Sequence, residues 1–217
     1  MSPIATGSPE TVVAGWAVSA RRSAAELTLT DHTPLTKVAV RAPWDGALAE
    51  ALGVSFGRTA RASWDVGGAT TRVLLAGAAP GEWLVLAAPG EHAVVVGWLE
   101  DAAARTDELV SVIDLTHGRA LMRLTGARAT GLLAKECGVD LHDAVCPDAS
   151  ALRSAVAGVA TDILRDDRDG TRSYLLHCER SSGQYLFDSL LDAGREFGVE
   201  ADGFLPPWNL GERRVTR

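Results

Sequence analysis

The chain has 217 residues, 47% of them hydrophobic and 23% charged, a globular composition long enough to bury one sizeable core or two smaller ones. Its 28 acidic against 21 basic side chains leave a formal charge of -7, and the one adjacent basic pair outside the tail, Arg21-Arg22, builds no stripe, so a phosphate-tracking nucleic-acid binder is excluded. Cys137, Cys146 and Cys178 are widely spaced and make neither a disulfide framework nor a zinc knuckle. No apolar run approaches a membrane span. The mild stretch Val12 to Ala20 follows Glu10 and precedes Arg21-Arg22, the reverse of a signal peptide's charge order, so the expectation is a cytoplasmic protein without membrane or nucleic-acid partners.

Residues 1–26 read as a loosely held arm, with Ser8 as cap and Pro9 at the first position of an Ala-rich helical stretch. Regular pattern begins with Leu35 to Arg41, which alternates like a strand; Trp44 to Leu52 is a short helix ended by Gly53, and Thr71 to Ala76 is a strand. Glu82 to Ala87 pairs back across the Pro80-Gly81 turn, Glu91 to Ala104 is a helix, and Leu109 to Leu115 is again a strand. The order βαββαβ is the split βαβ unit, an antiparallel sheet with both helices on one face. A looser copy follows: strand Ala120 to Leu124, helix Ala127 to Cys137, strands Val159 to Leu164 and Ser173 to Cys178 across the Asp-Arg-Asp-Gly turn at 167–170, and helix Gly183 to Phe197 stopped by Gly198. The fold class is therefore α+β, two ferredoxin-like half-domains at about 27–117 and 118–198 within one domain at 27–198, with a tail at 199–217.

No phosphate loop, nucleophile elbow, His-Glu-x-x-His or dinucleotide fingerprint is present. His32, His92, His142 and His177 show no ligand spacing, and His177 and Cys178 point to opposite faces of their strand, so no metal site is expected. The run Arg165 to Arg172 reads as a solvated mixed-charge hairpin turn. In the tail, Phe204-Leu205-Pro206-Pro207-Trp208 is an apolar cluster stiffened by prolines; Phe204 and Trp208 either pack back on their own domain or are anchors for docking on a partner.

Asp114-Leu115-Thr116-His117-Gly118-Arg119 is the most informative segment, with Leu124-Thr125-Gly126-Ala127-Arg128-Ala129 after it, Pro80-Gly81-Glu82-Trp83-Leu84-Val85-Leu86 upstream and Cys137-Gly138-Val139-Asp140-Leu141-His142 downstream. Taken together, from about Leu27 to Gly198, these resemble the gamma subunit of heterotetrameric sarcosine oxidase, within the class related to the aminomethyltransferase of glycine cleavage. The resemblance implies an aminomethyltransferase-like folate-binding fold and a non-catalytic subunit of a flavoenzyme that oxidises sarcosine to glycine, with the one-carbon unit passed to tetrahydrofolate or released as formaldehyde. It also implies alpha, beta and delta partner subunits that carry FAD, FMN, NAD and tetrahydrofolate, with no cofactor bound by this chain.

Asp114, at a strand-to-strand turn, is expected to accept local backbone N–H groups; the alternative is that Asp114, His117 or Arg119 faces a one-carbon ligand. Gly158-Val159-Ala160-Thr161-Asp162-Ile163-Leu164 resembles the aminomethyltransferase segment Gly-x-x-Asp-Asp-Leu-x, whose second aspartate is catalytic in that family, and Asp162 matches it where gamma subunits carry an apolar residue. Asp162 is expected near the end of an edge strand with its carboxylate in water and no catalytic duty. The alternative is a stand-alone tetrahydrofolate-dependent one-carbon transferase with Asp162 at its centre.

Overall fold

The computed structural model describes residues 10–66 and 68–205, in two compact units. One is continuous in sequence and its described residues lie within 35–117; the other is assembled from 10–34 and 118–205. The chain passes from one unit to the other between His117 and Gly118. Residues 27–34, expected with the first half, belong instead with the second.

The discontinuous unit begins with a hairpin, β1 (Glu10–Val13) and β2 (Trp16–Ser19), where a helix was expected. Ala14 and Gly15 both hold positive φ, 47° and 83°, as a two-residue hairpin turn requires, and the alternating Trp16 and Val18 are buried. The expected cap, Ser8-Pro9, lies outside the described residues. Next comes β3 (Thr28–Asp31), a strand that the sequence pattern did not flag.

The continuous unit runs β4 (Thr36–Arg41), α1 (Ala47–Leu52), β5 (Thr59–Val66), β6 (Ala69–Ala79), β7 (Glu82–Ala87), α2 (His92–Ala103) and β8 (Ser111–Asp114). Strand order is β5-β6-β7-β4-β8, all antiparallel, which is the expected split βαβ sheet with β5 added at one edge. Alternate residues Val38, Val40, Val73, Leu75, Trp83 and Val85 share a core with Leu48 and Leu52 of α1 and Val95 and Leu99 of α2, so both helices cover one face. Each fully buried aliphatic side chain there contributes about 1.5–3 kcal/mol. At Gly77 the chain passes close to itself: an added Cβ would lie 2.3 Å from the Ser55 carbonyl oxygen.

The chain then returns as β9 (Arg119–Thr125), α3 (Ala129–Glu136), β10 (Ala151–Val156), β11 (Val159–Arg165), β12 (Ser173–Glu179), α4 (Gly183–Ala193) and β13 (Glu200–Asp202). Strand order is β10-β11-β12-β9-β3-β13, antiparallel except for the parallel pair β13 and β3. β10 repeats the role of β5 as an added edge strand, and β3 takes the place beside β9 that β8 takes beside β4. The 199–217 tail thus contributes a strand before residue 204. One face of the sheet, with Met122, Leu124, Ile163, Tyr174 and Leu176, packs on Leu132 and Leu133 of α3 and Leu186, Phe187 and Leu190 of α4. The opposite face carries the polar residues described next.

Candidate functional site

Two hairpin turns set the site. Ala157-Gly158 joins β10 to β11, and Asp169-Gly170 lies between β11 and β12; all four residues have positive φ, between 49° and 78°. Two-residue turns of this kind fix the register of the strands they join. Consequently Arg153, Asp162 and His177 stand opposite one another in a single row across three strands. Period-two alternation puts that row on the face turned away from α3 and α4, together with Leu164, Leu175, Leu121 and Arg123.

Asp162 sits on an interior strand and is buried, which corrects the expectation of a hydrated carboxylate on an edge strand. Its Oδ1 accepts a 2.6 Å hydrogen bond from Arg153 Nε, and its Oδ2 lies 2.9 Å from His177 Nδ1. The side chains are 51% exposed for Arg153, 11% for Asp162 and 3% for His177. Burial pushes the Asp162 pKa up, but the bonds from His177 and Arg153 outweigh it and hold the carboxyl below its ordinary range. An ionised Asp162 also fixes a proton on His177 Nδ1.

A second polar group lies farther along the same sheet. Arg123 Nη2 donates to Asp166 Oδ2 at 2.8 Å and its Nη1 to Ser173 Oγ at 2.7 Å, while Arg168 Nε reaches the same Asp166 oxygen at 3.3 Å. Arg165 pairs with Asp167 at 2.9 Å and with Asp143 at 2.7 Å. Arg165, Asp166 and Arg168 are all buried, so the base of the turn read as a solvated hairpin is a buried ion network, while its tip at Asp169, Gly170 and Thr171 is exposed. Arg165 with Asp167 and Asp166 with Arg168 are pairs two residues apart, on one side of an extended chain, and Asp143 and Arg123 of β9 complete the network. His32 is buried near Arg123 and Arg168; burial first, then those two cations, hold its pKa well below the usual imidazole value.

The remaining candidates lie apart from this row. Asp114 ends β8, and its Oδ1 accepts the Thr116 N–H at 2.8 Å; Thr116 Oγ1 in turn accepts the Lys37 N–H at 3.1 Å, tying β8 to β4. Burial raises the Asp114 pKa, and hydrogen bonding from Thr116 more than reverses it. His117 is exposed, and Arg119 forms a 2.7 Å ion pair with Glu179. Phe204 is buried, its N–H bonded to the Ser19 carbonyl at 2.9 Å and its ring 5.5 Å from that of His32, which removes it as an exposed docking anchor. Trp208 lies outside the described residues. Among the described residues no group of three or more His, Cys, Asp or Glu is arranged to hold a metal ion, and no helix is long and apolar enough to cross a membrane.

Chemically, the Arg153-Asp162-His177 row is a neutralised carboxylate. A general base works best with a pKa near the operating pH, and here both neighbours drive it the other way. A tetrahydrofolate amine directed at Asp162 would meet a carboxylate that is largely buried and already neutralised by Arg153 and His177, which weakens its pull on an amine. Reading the strands singled out Asp162 but not its partners; the register that follows from Asp169-Gly170 places His177 opposite Asp162 and was the available signal.

The GCVT N-terminal domain model matches residues 62–205. Sarcosine oxidase subunit gamma of Corynebacterium sp. (strain P-1) is 30% identical over 169 residues, covering 76% of this chain and 78% of that one. Human dimethylglycine dehydrogenase, a mitochondrial protein, is 24% identical over 124 residues, or 57% of this chain, which spans only 14% of that much longer protein. Among solved structures, heterotetrameric sarcosine oxidase from Corynebacterium sp. U-96, in complex with pyrrole 2-carboxylate, aligns with a TM-score of 0.64 at 24% identity, covering 82% of this chain and 89% of that one.

Proposed function

The chain belongs to the GCVT N-terminal domain family and, within it, to the sarcosine oxidase gamma subunits; on that premise we propose that it is a non-catalytic subunit of a flavoenzyme that oxidises sarcosine or a related secondary N-methyl amine. Its partners in this reading are alpha, beta and delta subunits in the cytoplasm, which hold FAD, FMN, NAD and tetrahydrofolate. The observation that carries it is the likeness to a gamma subunit along most of both chains. The site supports the same assignment. Asp162 is held as an ion pair and hydrogen-bond acceptor within the sheet, with its proton affinity lowered, and a chain doing chemistry on an amine needs a more basic carboxylate than this.

In this role the residues of the chain shape and hold a surface. Arg153 and His177 fix Asp162, Asp166 fixes Arg123 and Arg168, and the sheet that carries them continues past β9 through β3. Purified alone, the chain is expected to show no flavin absorbance, no N-methyl amine oxidation and no calorimetric heat with tetrahydrofolate. Stoichiometric flavin in the isolated chain, turnover without partners, or micromolar tetrahydrofolate binding that weakens in Asp162→Asn would overturn the assignment; the last of these would favour the stand-alone one-carbon transferase.

A further inference from the structure

Large apolar side chains exposed singly on a surface are ordinary, but a group of them on one stretch marks an interaction site. Around α1 of the continuous unit, Trp44 is 70% exposed, Phe56 61% and Leu109 93%. Trp44 sits in the turn closed by the Gly46 N–H on the Pro43 carbonyl at 3.2 Å, directly before α1. Glu108 reaches the start of the same helix, accepting the N–H groups of Ala47 and, at 3.2 Å, Leu48, which brings Leu109 beside that turn. Phe56 follows the other end of α1 and bridges to Gly77. Trp44 lies in a turn whose backbone is held by hydrogen bonds, so its ring is presented from a defined position, as interface anchors are.

Charge selects the occupant. The segments 43–58 and 100–109, which carry Trp44, Phe56 and Leu109, hold six carboxylates, Asp45 and Asp107 among them, against the two guanidiniums of Arg58 and Arg105. An isologous contact with a second copy would set those carboxylates against their own images, and an anionic lipid surface would repel them. A pocket for an indole ring with a basic rim is the complement. We infer that this surface, through Trp44 and Leu109 at the start of α1 and Phe56 past its end, docks the chain onto a larger partner subunit that offers an apolar pocket rimmed by Lys or Arg. The inference rests on the subunit reading above and adds the face that is used and the chemistry of the receiving surface.

The test uses the full chain, tagged and expressed in its native cell, with captured protein identified by flavin absorbance and N-methyl amine oxidation. Trp44→Ala is expected to lower the captured oxidase at least tenfold, with the thermal midpoint unchanged because the ring is largely in solvent. Paired Asp45→Arg and Asp107→Arg should do the same, and raised salt should weaken the wild-type capture. Tyr185→Ala, an exposed aromatic of the other unit, should stay within twofold. A photo-crosslinker in place of Leu109 should join the chain to the oxidase. If wild type captures the oxidase and Trp44→Ala captures it equally, the docking face is wrong while the subunit reading stands. Capture of no oxidase by wild type removes both. A crosslink from position 109 only to a second copy of the chain would assign the face to self-association and overturn the proposal.

Discussion

Asp162 shows how a single carboxylate can change duty through its neighbours. In the proposed subunit role the oxidation takes place on another chain, so Asp162→Asn is expected to leave the rate of the assembled oxidase within about twofold, against roughly 10²- to 10⁴-fold for the loss of a true acid–base group. The same change leaves His177 buried beside an amide and Arg153 beside a weaker acceptor, at a stability cost of about 2 kcal/mol, read as a shift of the urea midpoint. His32 makes a separate prediction. Its folded pKa lies below the unfolded value of about 6.5, so below that pH the unfolded chain takes up a proton that the folded chain refuses, and stability falls with falling pH. His32→Gln should flatten that part of the stability profile between about pH 6.5 and 5; an unchanged slope would show that His32 is not the group responsible. Asp162 acts lower on the scale, because its depressed pKa contributes stability above about 3.9 that is lost as pH falls further.

At the scale of elements, the strands and helices with strong patterns were legible. Glu82–Ala87 was read to the residue because apolar side chains fill both faces between the Pro80-Gly81 turn and Pro89-Gly90. β10 and β3 escaped for physical reasons. β10 is an edge strand in which Arg153, Ser154 and Ala155 face outward or lie at half-buried positions, giving no clean alternation, and its turn is Ala-Gly, where Asn-Gly or Asp-Gly would have signalled a hairpin. β3 is only four residues long. Missing β10 hid Arg153, and leaving the register of the Asp169-Gly170 hairpin unread hid the pairing of Asp162 with His177. The Ala-Gly turn carries a cost, since Ala157 holds φ at 49°, a left-handed conformation disfavoured for a residue with Cβ. Ala157→Asn should therefore stabilise the chain by roughly 0.5–1 kcal/mol, and a lower melting temperature would contradict that reading of the turn.

The division of the whole molecule follows from where β3 goes. A boundary near 117 is visible in the sequence because the βαββαβ order closes there, whereas the pairing of residues 28–31 with β9 depends on contacts about 95 positions apart, which no local pattern reports. β3 lies between β9 and β13 and is the one neighbour of β13. Deleting residues 1–31 should accordingly unfold the discontinuous unit, abolishing slow hydrogen exchange in β9 and β12, while amides of β4, β6 and β7 stay protected; protection retained in both units would refute that dependence. In the proposed role the chain works inside a larger oxidase and not by itself. The most direct measurement is the native mass and activity of whatever is purified through a tag on this chain from its own cell. One assembly of several different subunits is expected, containing this chain, absorbing as a flavoprotein and oxidising sarcosine or a related N-methyl amine. Recovery of the chain alone, active on a one-carbon substrate without any partner, would contradict it.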